Sequence, residues 1–160
     1  MDLVHVRIDD RLVHGQVTVG WSKHVRPTRI IVADDKAAAN PLQRGVLQMI
    51  PIPGVRVSVM PLAEFLQLTR EEPGGDRVFL IVSNPTELLK LVEGGLRLTE
   101  VVVGNLGYQT GRQKISKEVH ANEAELAAFR ELSKRGIKLL AQWTPTSPTM
   151  DLNRELEKVG

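Results

Sequence analysis

The sequence predicts an α/β protein: an open, mostly parallel twisted sheet with helices on both faces, folded as a single domain over residues 1–160. Three observations predict it. Apolar runs of strand length alternate with segments of helical pattern, as in strands joined by crossover helices. The run Val78-Phe79-Leu80-Ile81-Val82 is apolar without interruption, which suits a strand buried on both faces. The chain has 160 residues, 42% of them hydrophobic, enough for one full core and cramped for two.

Strands are expected at Leu3–Ile8, Ile30–Ala33, Val55–Met60, Val78–Val82, Val101–Val103 and Ile137–Ala141. The helices between them are expected at Gly15–His24, Pro41–Ile50, Leu62–Leu68, Pro85–Val92 and Asn122–Arg135, with Ser147–Lys158 as a terminal helix. Pro41 and Pro85 stand at first-turn positions after Asn40 and Asn84 as caps, and Gly94-Gly95 and Gly136 end helices. Gly104 to His120 is the longest irregular stretch, rich in glycine and polar residues, and loops of that length in compact domains tend to be functional. No internal repeat, low-complexity tract or linker divides the chain.

Composition excludes several classes of function. The chain has no cysteine, so disulfides, thiolate metal sites and cysteine nucleophiles are absent together. The formal net charge of +2 makes no case for nucleic-acid binding. No apolar run reaches about 18 residues and no basic leader precedes the first strand, so the expectation is a soluble, cytoplasmic protein.

The chemistry concentrates at Asp9-Asp10-Arg11-Leu12-Val13-His14-Gly15-Gln16, where the first strand runs into a helix. That places His14 at the C-terminal edge of the sheet, where open α/β folds bind ligands. A neutral imidazole nitrogen can attack phosphorus and hold a phosphoryl group covalently. Arg11 is the candidate to pair with phosphoryl oxygens through its fork of donors, while Asp9 or Asp10 orients the arginine or fixes the imidazole tautomer. Backbone N–H groups of Gly15 and Gln16, with Val17, would add the anion-binding start of a helix. The bland alternative is a solvated loop in which Asp10 caps the helix and His14 is a partly exposed first-turn residue. The strand order is expected to reverse between the first strand and Val78–Val82, which would set Ser83-Asn84-Pro85 across a crevice from the His14 loop. Ser83 and Asn84 are then candidate phosphate donors, with capping by Asn84 as the plainer reading.

The same residues carry a resemblance. Arg7-Ile8-Asp9-Asp10-Arg11-Leu12-Val13-His14-Gly15-Gln16-Val17, with Trp21 seven residues after the histidine, resembles the start of the IIB components of the mannose/fructose/sorbose family of the sugar phosphotransferase system. The likeness continues through Arg29–Asp35, Ala39-Asn40-Pro41, Pro53-Gly54-Val55, Asn84-Pro85, Val92-Glu93-Gly94-Gly95, Val103-Gly104-Asn105, Gly111 and Ile115-Ser116, and so covers nearly the whole chain. Gln142-Trp143-Thr144-Pro145 departs from the family's pattern, and no role is carried over past Ser116. The resemblance implies a protein-N(pi)-phosphohistidine–sugar phosphotransferase. In it, His14 accepts a phosphoryl group from a phosphohistidine on a IIA partner and passes it to a sugar held by membrane IIC/IID partners. It implies no metal, nucleotide or other cofactor, and the lack of cysteine rules out the phosphocysteine chemistry of other IIB classes. A regulatory protein that reports its phosphorylation state through the same histidine is the alternative. A nucleotide-binding or hydrolytic enzyme would need a glycine-rich phosphate loop or a metal cluster, and the sequence shows neither.

The remaining candidates read as structural. His5 is expected to pack within the first strand, His24 to complement a helix dipole, and His120 to follow the long loop without a site role. Asp34-Asp35 ends a strand but is weak as a metal site. Trp21 and Trp143 are expected in core or interface, with sugar stacking as the alternative. Arg7, Arg11, Lys23 and Arg26 are expected to form a basic side that steers the IIA partner. Exposed apolar surface near Trp21 or the terminal helix leaves a homo-oligomer open.

Overall fold

The computed structural model describes residues 1–71 and 74–159. In chain order the elements are β1 (Asp2–Asp9), α1 (Gly15–Val25), β2 (Arg29–Ala33), α2 (Asp35–Ala39), α3 (Pro41–Met49), β3 (Arg56–Met60), α4 (Leu62–Arg70), β4 (Arg77–Val82), α5 (Pro85–Glu93), β5 (Glu100–Asn105), β6 (Gln113–Lys114), β7 (His120–Ala121), α6 (Glu123–Lys134), β8 (Lys138–Ala141), β9 (Met150–Asp151) and α7 (Leu152–Glu157). Seven strands form one sheet in the order β3-β2-β4-β1-β5-β8-β9. Every pairing in it is parallel except β8 with β9.

Side-chain alternation along these strands divides the core in two. Leu80 and Val82 of β4, Ile31 and Ala33 of β2, and Val101 and Val103 of β5 join one cluster with Phe65, Leu88, Leu91, Phe129 and Leu132 from α4, α5 and α6. Phe79 and Ile81, Ile30 and Val32, and Val102 join the other, with Trp21, Ala37 and Leu47 from α1, α2 and α3. The sheet is therefore covered on both faces, as the apolar run of β4 requires.

Capping fixes where several helices begin. Asn40 and Asn84 accept hydrogen bonds from the backbone N–H groups of Gln43 and Glu87, each with proline next in the chain. Asn122 and Glu125 form a reciprocal capping box at α6.

All six expected strands are present, and three short ones are additional. β6 and β7 form a separate antiparallel pair inside the long polar loop. β9 takes the start of the expected terminal helix, which is confined to Leu152–Glu157: Leu140 and Ala141 pair with Asp151 and Met150 across a turn. The additional helix α2 is one short segment after Asp34. The expected reversal of strand order is present between β1 and β4: the two strands pair in parallel, and the helices that follow them, α1 and α5, pack on opposite faces of the sheet.

Trp21 itself is buried. The exposed large apolar side chains include Leu42, Val46 and Met49 along α3. Among the described residues, no helix is long and apolar enough to cross a membrane.

Candidate functional site

The period of two in β1 places His5, Arg7 and Asp9 on the face covered by α1, where an apolar strand would otherwise continue. His5 stacks on Trp21 with ring centroids 4.5 Å apart and meets Phe79 edge-on. Burial, with the nearby Arg7 and His24 charges, pushes the His5 pKa down to about 3. Arg7 is 2% exposed, which removes it from any surface that could steer a partner. Its Nε donates to Asp9 Oδ2 at 3.3 Å, and its Nη1 and Nη2 donate to the carbonyls of Gln142 and Trp143 at 3.2 and 3.1 Å. Gly104 makes room for it: a Cβ there would overlap the Arg7 guanidinium.

Beyond Asp9 the chain turns sharply. Leu12 N–H donates to the Asp9 carbonyl, and Leu12 adopts φ +61, a left-handed conformation uncommon outside glycine. Leu12 and Val13 are buried in the core beneath α1 and hold this turn in place. Arg11 and His14 are the residues projected outward. Gly15 follows with φ +38, and α1 begins with His14 itself at the N-cap position. Asp10 therefore does not cap this helix. His14 N–H donates to Thr18 Oγ1 at 3.1 Å, and no side-chain cap bond from the N-cap residue serves the first N–H groups of α1.

Asp9 organises the pair. Wholly buried, it accepts from Arg11 N–H at 3.0 Å, from Arg11 Nε and Nη2 at 3.2 Å each, and from Arg7. Its Oδ2 lies 4.0 Å from His14 Nδ1. The sequence left Asp9 and Asp10 open as the arginine's partner, and in the structure it is Asp9. The His14 side chain is 26% exposed through its carbon edge, while both ring nitrogens are buried and have no hydrogen-bond partner among the described residues. Burial holds the His14 pKa below 6.5, and the Arg11 and Arg7 cations act in the same direction against the Asp9 carboxylate and the Leu12 backbone. The net shift favours the neutral form of the imidazole.

Asp10 points the other way, into the segment after β5. It accepts from Asn105 Nδ2 at 2.8 Å and Gly107 N–H at 2.9 Å, with Arg112 Nη1 at 3.7 Å. Arg112 in turn donates to the Gly107 carbonyl and, through two parallel bonds of 2.9 Å, to Glu125. Asp10 thus ties the His14 loop to the long polar loop. On the remaining side Trp143 lies against Arg11, with Cζ 4.5 Å from the ring centroid.

Arg112 was not singled out by the sequence, where only the length and polarity of the 104–120 loop pointed to it. Asn105 entered as part of the family pattern, Gln142 as part of the departure from it, and Trp143 as a core or interface residue. None of these marked a contact with Arg7, Asp10 or Arg11, because β5 and β8 bring them in from distant parts of the chain.

Other candidates lie apart from this group. Asn84 Nδ2 donates to Ser83 Oγ and Asn84 Oδ1 caps α5, and neither residue hydrogen-bonds to residues 9–16. Gly15 and Gln16 are exposed and share a shallow cleft with Lys23. His24 is exposed in the last turn of α1. Asp34 stands at the N-cap position of α2, while Asp35 accepts from Leu62 N–H. His120 lines a cleft of about 840 Å³ with Asn105, Ser116, Gln142 and Trp143, a cleft that does not include His14.

A family model described as the sorbose subfamily IIB component of the phosphotransferase system matches residues 3–159. The chain belongs to this IIB family. It is 36% identical over 156 residues to the mannose-specific EIIAB component of Escherichia coli K12, an alignment covering 95% of the chain and 48% of that relative. The chain thus spans about half the length of the mannose-specific relatives it matches. It is 32% identical to the N-acetylgalactosamine-specific IIB component 2 of the same organism, covering 94% of this chain and 96% of that one. Its fold superposes on the crystal structure of the IIBSor domain of the sorbose permease from Klebsiella pneumoniae with a TM-score of 0.95 and 29% identity, covering 100% and 99% of the two chains. In this IIB chain the residues that carried the resemblance, Asp9 to Gln16, are those the fold brings to the edge of β1.

Proposed function

We propose that this IIB protein is a cytoplasmic phosphoryl carrier in sugar uptake, with His14 as the acceptor. The observation that carries the reading is a partly exposed imidazole at the C-terminal edge of the sheet, its pKa held below 6.5, 4.0 Å from a buried carboxylate that also holds Arg11. A lone pair on a His14 ring nitrogen attacks the phosphorus of a phosphohistidine on the IIA partner. The new N–P bond forms as the donor's N–P bond breaks, and the donor imidazole leaves with the bonding pair. In the second step a sugar hydroxyl held by IIC/IID attacks the same phosphorus, His14 is released, and the hydroxyl proton is lost.

Both steps are in-line displacements that ask the protein for position and charge. Arg11 supplies charge to the phosphoryl oxygens, and the N–H groups of Gly15 and Gln16 open a helix beside them. Asp9 orients Arg11 and faces Nδ1, while Asp10 fixes the loop. Ser83 and Asn84 follow β4, the strand next to β1, and no hydrogen bond among the described residues ties them to His14, so their part as phosphate donors stays the weaker element of the reading. Both ring nitrogens of His14 are buried in this conformation, so transfer between proteins requires the imidazole to turn outward.

The test uses membranes containing the IIC/IID partners, with phosphoenolpyruvate, the general phosphotransferase proteins and IIA. Sugar phosphate should form when this protein is added and not when His14→Ala replaces it. Labelling of His14 without sugar phosphate formation would favour the regulatory reading.

A further inference from the structure

Trp143 lies outside the segments that carry the family resemblance, yet the site converges on it. Its backbone carbonyl accepts from Arg7 Nη2 at 3.1 Å and Trp21 Nε1 at 3.0 Å. Those bonds hold the main chain, and any residue at 143 presents the same carbonyl. What the indole adds is a face for Arg11, whose Cζ is 4.5 Å from the ring centroid.

Asp9 grips Arg11 along one edge, through Nε and Nη2. Bonds along a single edge leave the guanidinium plane free to tilt about it, and a ring against the plane removes that freedom. Nη1 has no hydrogen-bond partner among the described residues. Resting on the reading of His14 as phosphoryl acceptor, we propose that Trp143 is a positioning residue for the transfer. It holds the Arg11 plane so that Nη1 remains directed to phosphoryl oxygens at His14. The mechanism is preorganisation: a charge that need not reorient during the displacement stabilises the transition state more than one that must.

A role through Arg11 differs measurably from a role in the fold. Transfer from phosphorylated IIA is measured for Trp143→Leu and Trp143→Phe, each with Arg11 intact and in the Arg11→Lys background. With Arg11 intact, Trp143→Leu should lower kcat about five- to thirtyfold, the range of a cation–π contact, with KM for the donor unchanged. Trp143→Phe, which keeps an aromatic face, should stay within about threefold of the native rate. In the Arg11→Lys background, where the planar fork is gone, Trp143→Leu should cost less than about twofold. The Arg11 Nε–H resonance should also carry an upfield ring-current shift that Trp143→Leu removes, a readout independent of activity.

A loss below about twofold with Arg11 intact, or equal losses in both backgrounds, overturns the proposal and leaves His14 as acceptor. Failure of the native protein to be labelled at His14 overturns both.

Discussion

Arg11 is restrained by Asp9 on one edge and Trp143 on one face, and it is still 34% exposed. On the proposed reading this leaves the cation free to meet an incoming anion. Arg11→Lys keeps the charge and loses the fork, so transfer should slow about tenfold, and Arg11→Ala should slow it about a hundredfold. Thermal stability should change little in either variant, because Asp9 retains Arg7 and the backbone N–H of residue 11. Equal rates in all three proteins would reduce Arg11 to a surface residue. For His14, the lowered pKa predicts an NMR titration inflection below 6.5. The neutral form then dominates above pH 6.5, and acceptance should be flat from there to about pH 8 and fall only on the acid side. An inflection above 6.5 would mean that Asp9 outweighs burial.

The loop after β5 is where local sequence and tertiary structure part company. Its glycines and polar residues marked it as functional but did not show that Arg112 fastens it. Arg112 and Glu125 are 9% and 6% exposed and share two hydrogen bonds. Arg112→Ala strands a buried carboxylate and should cost about 3 kcal/mol in denaturant unfolding. Adding Glu125→Gln should recover much of this, since glutamine can serve the capping box without the charge. No recovery would place the cost in the lost contact to Gly107 instead.

The strands, and the helices with Asn-Pro starts, were legible because burial on two faces and capping leave local marks. β9 was not, since its partner β8 lies across a turn and only tertiary pairing divides it from α7. Arg7 misled for a related reason: a lone arginine in an apolar strand reads as surface charge until Asp9, two residues on, and two distant carbonyls satisfy it. That Asp9 to His14 would form a turn at the C-terminal end of the first strand was legible from the turn chemistry and the family pattern. Trp143 needed the fold.

At the scale of the whole molecule, acid should weaken the fold through His5. Its pKa is about 3 when folded against 6.5 as the ordinary value, so the unfolded chain binds the proton first as pH falls. The stability held by the neutral ring is complete above pH 6.5, declines as pH falls toward about 3, and amounts to the order of 5 kcal/mol. His5→Phe keeps an aromatic stack against Trp21 and should flatten the acid limb of a stability profile measured by urea unfolding. An unchanged acid limb would assign it to other groups.

The claim on which the rest depends is that His14 carries the phosphoryl group. Its most direct measurement is mass mapping of the full chain after incubation with phosphoenolpyruvate, the general phosphotransferase proteins and IIA. One acid-labile phosphoryl group on His14, absent from a folded His14→Ala protein, is the predicted result. Labelling that persists in His14→Ala, or maps to His5, His24 or His120, would contradict it.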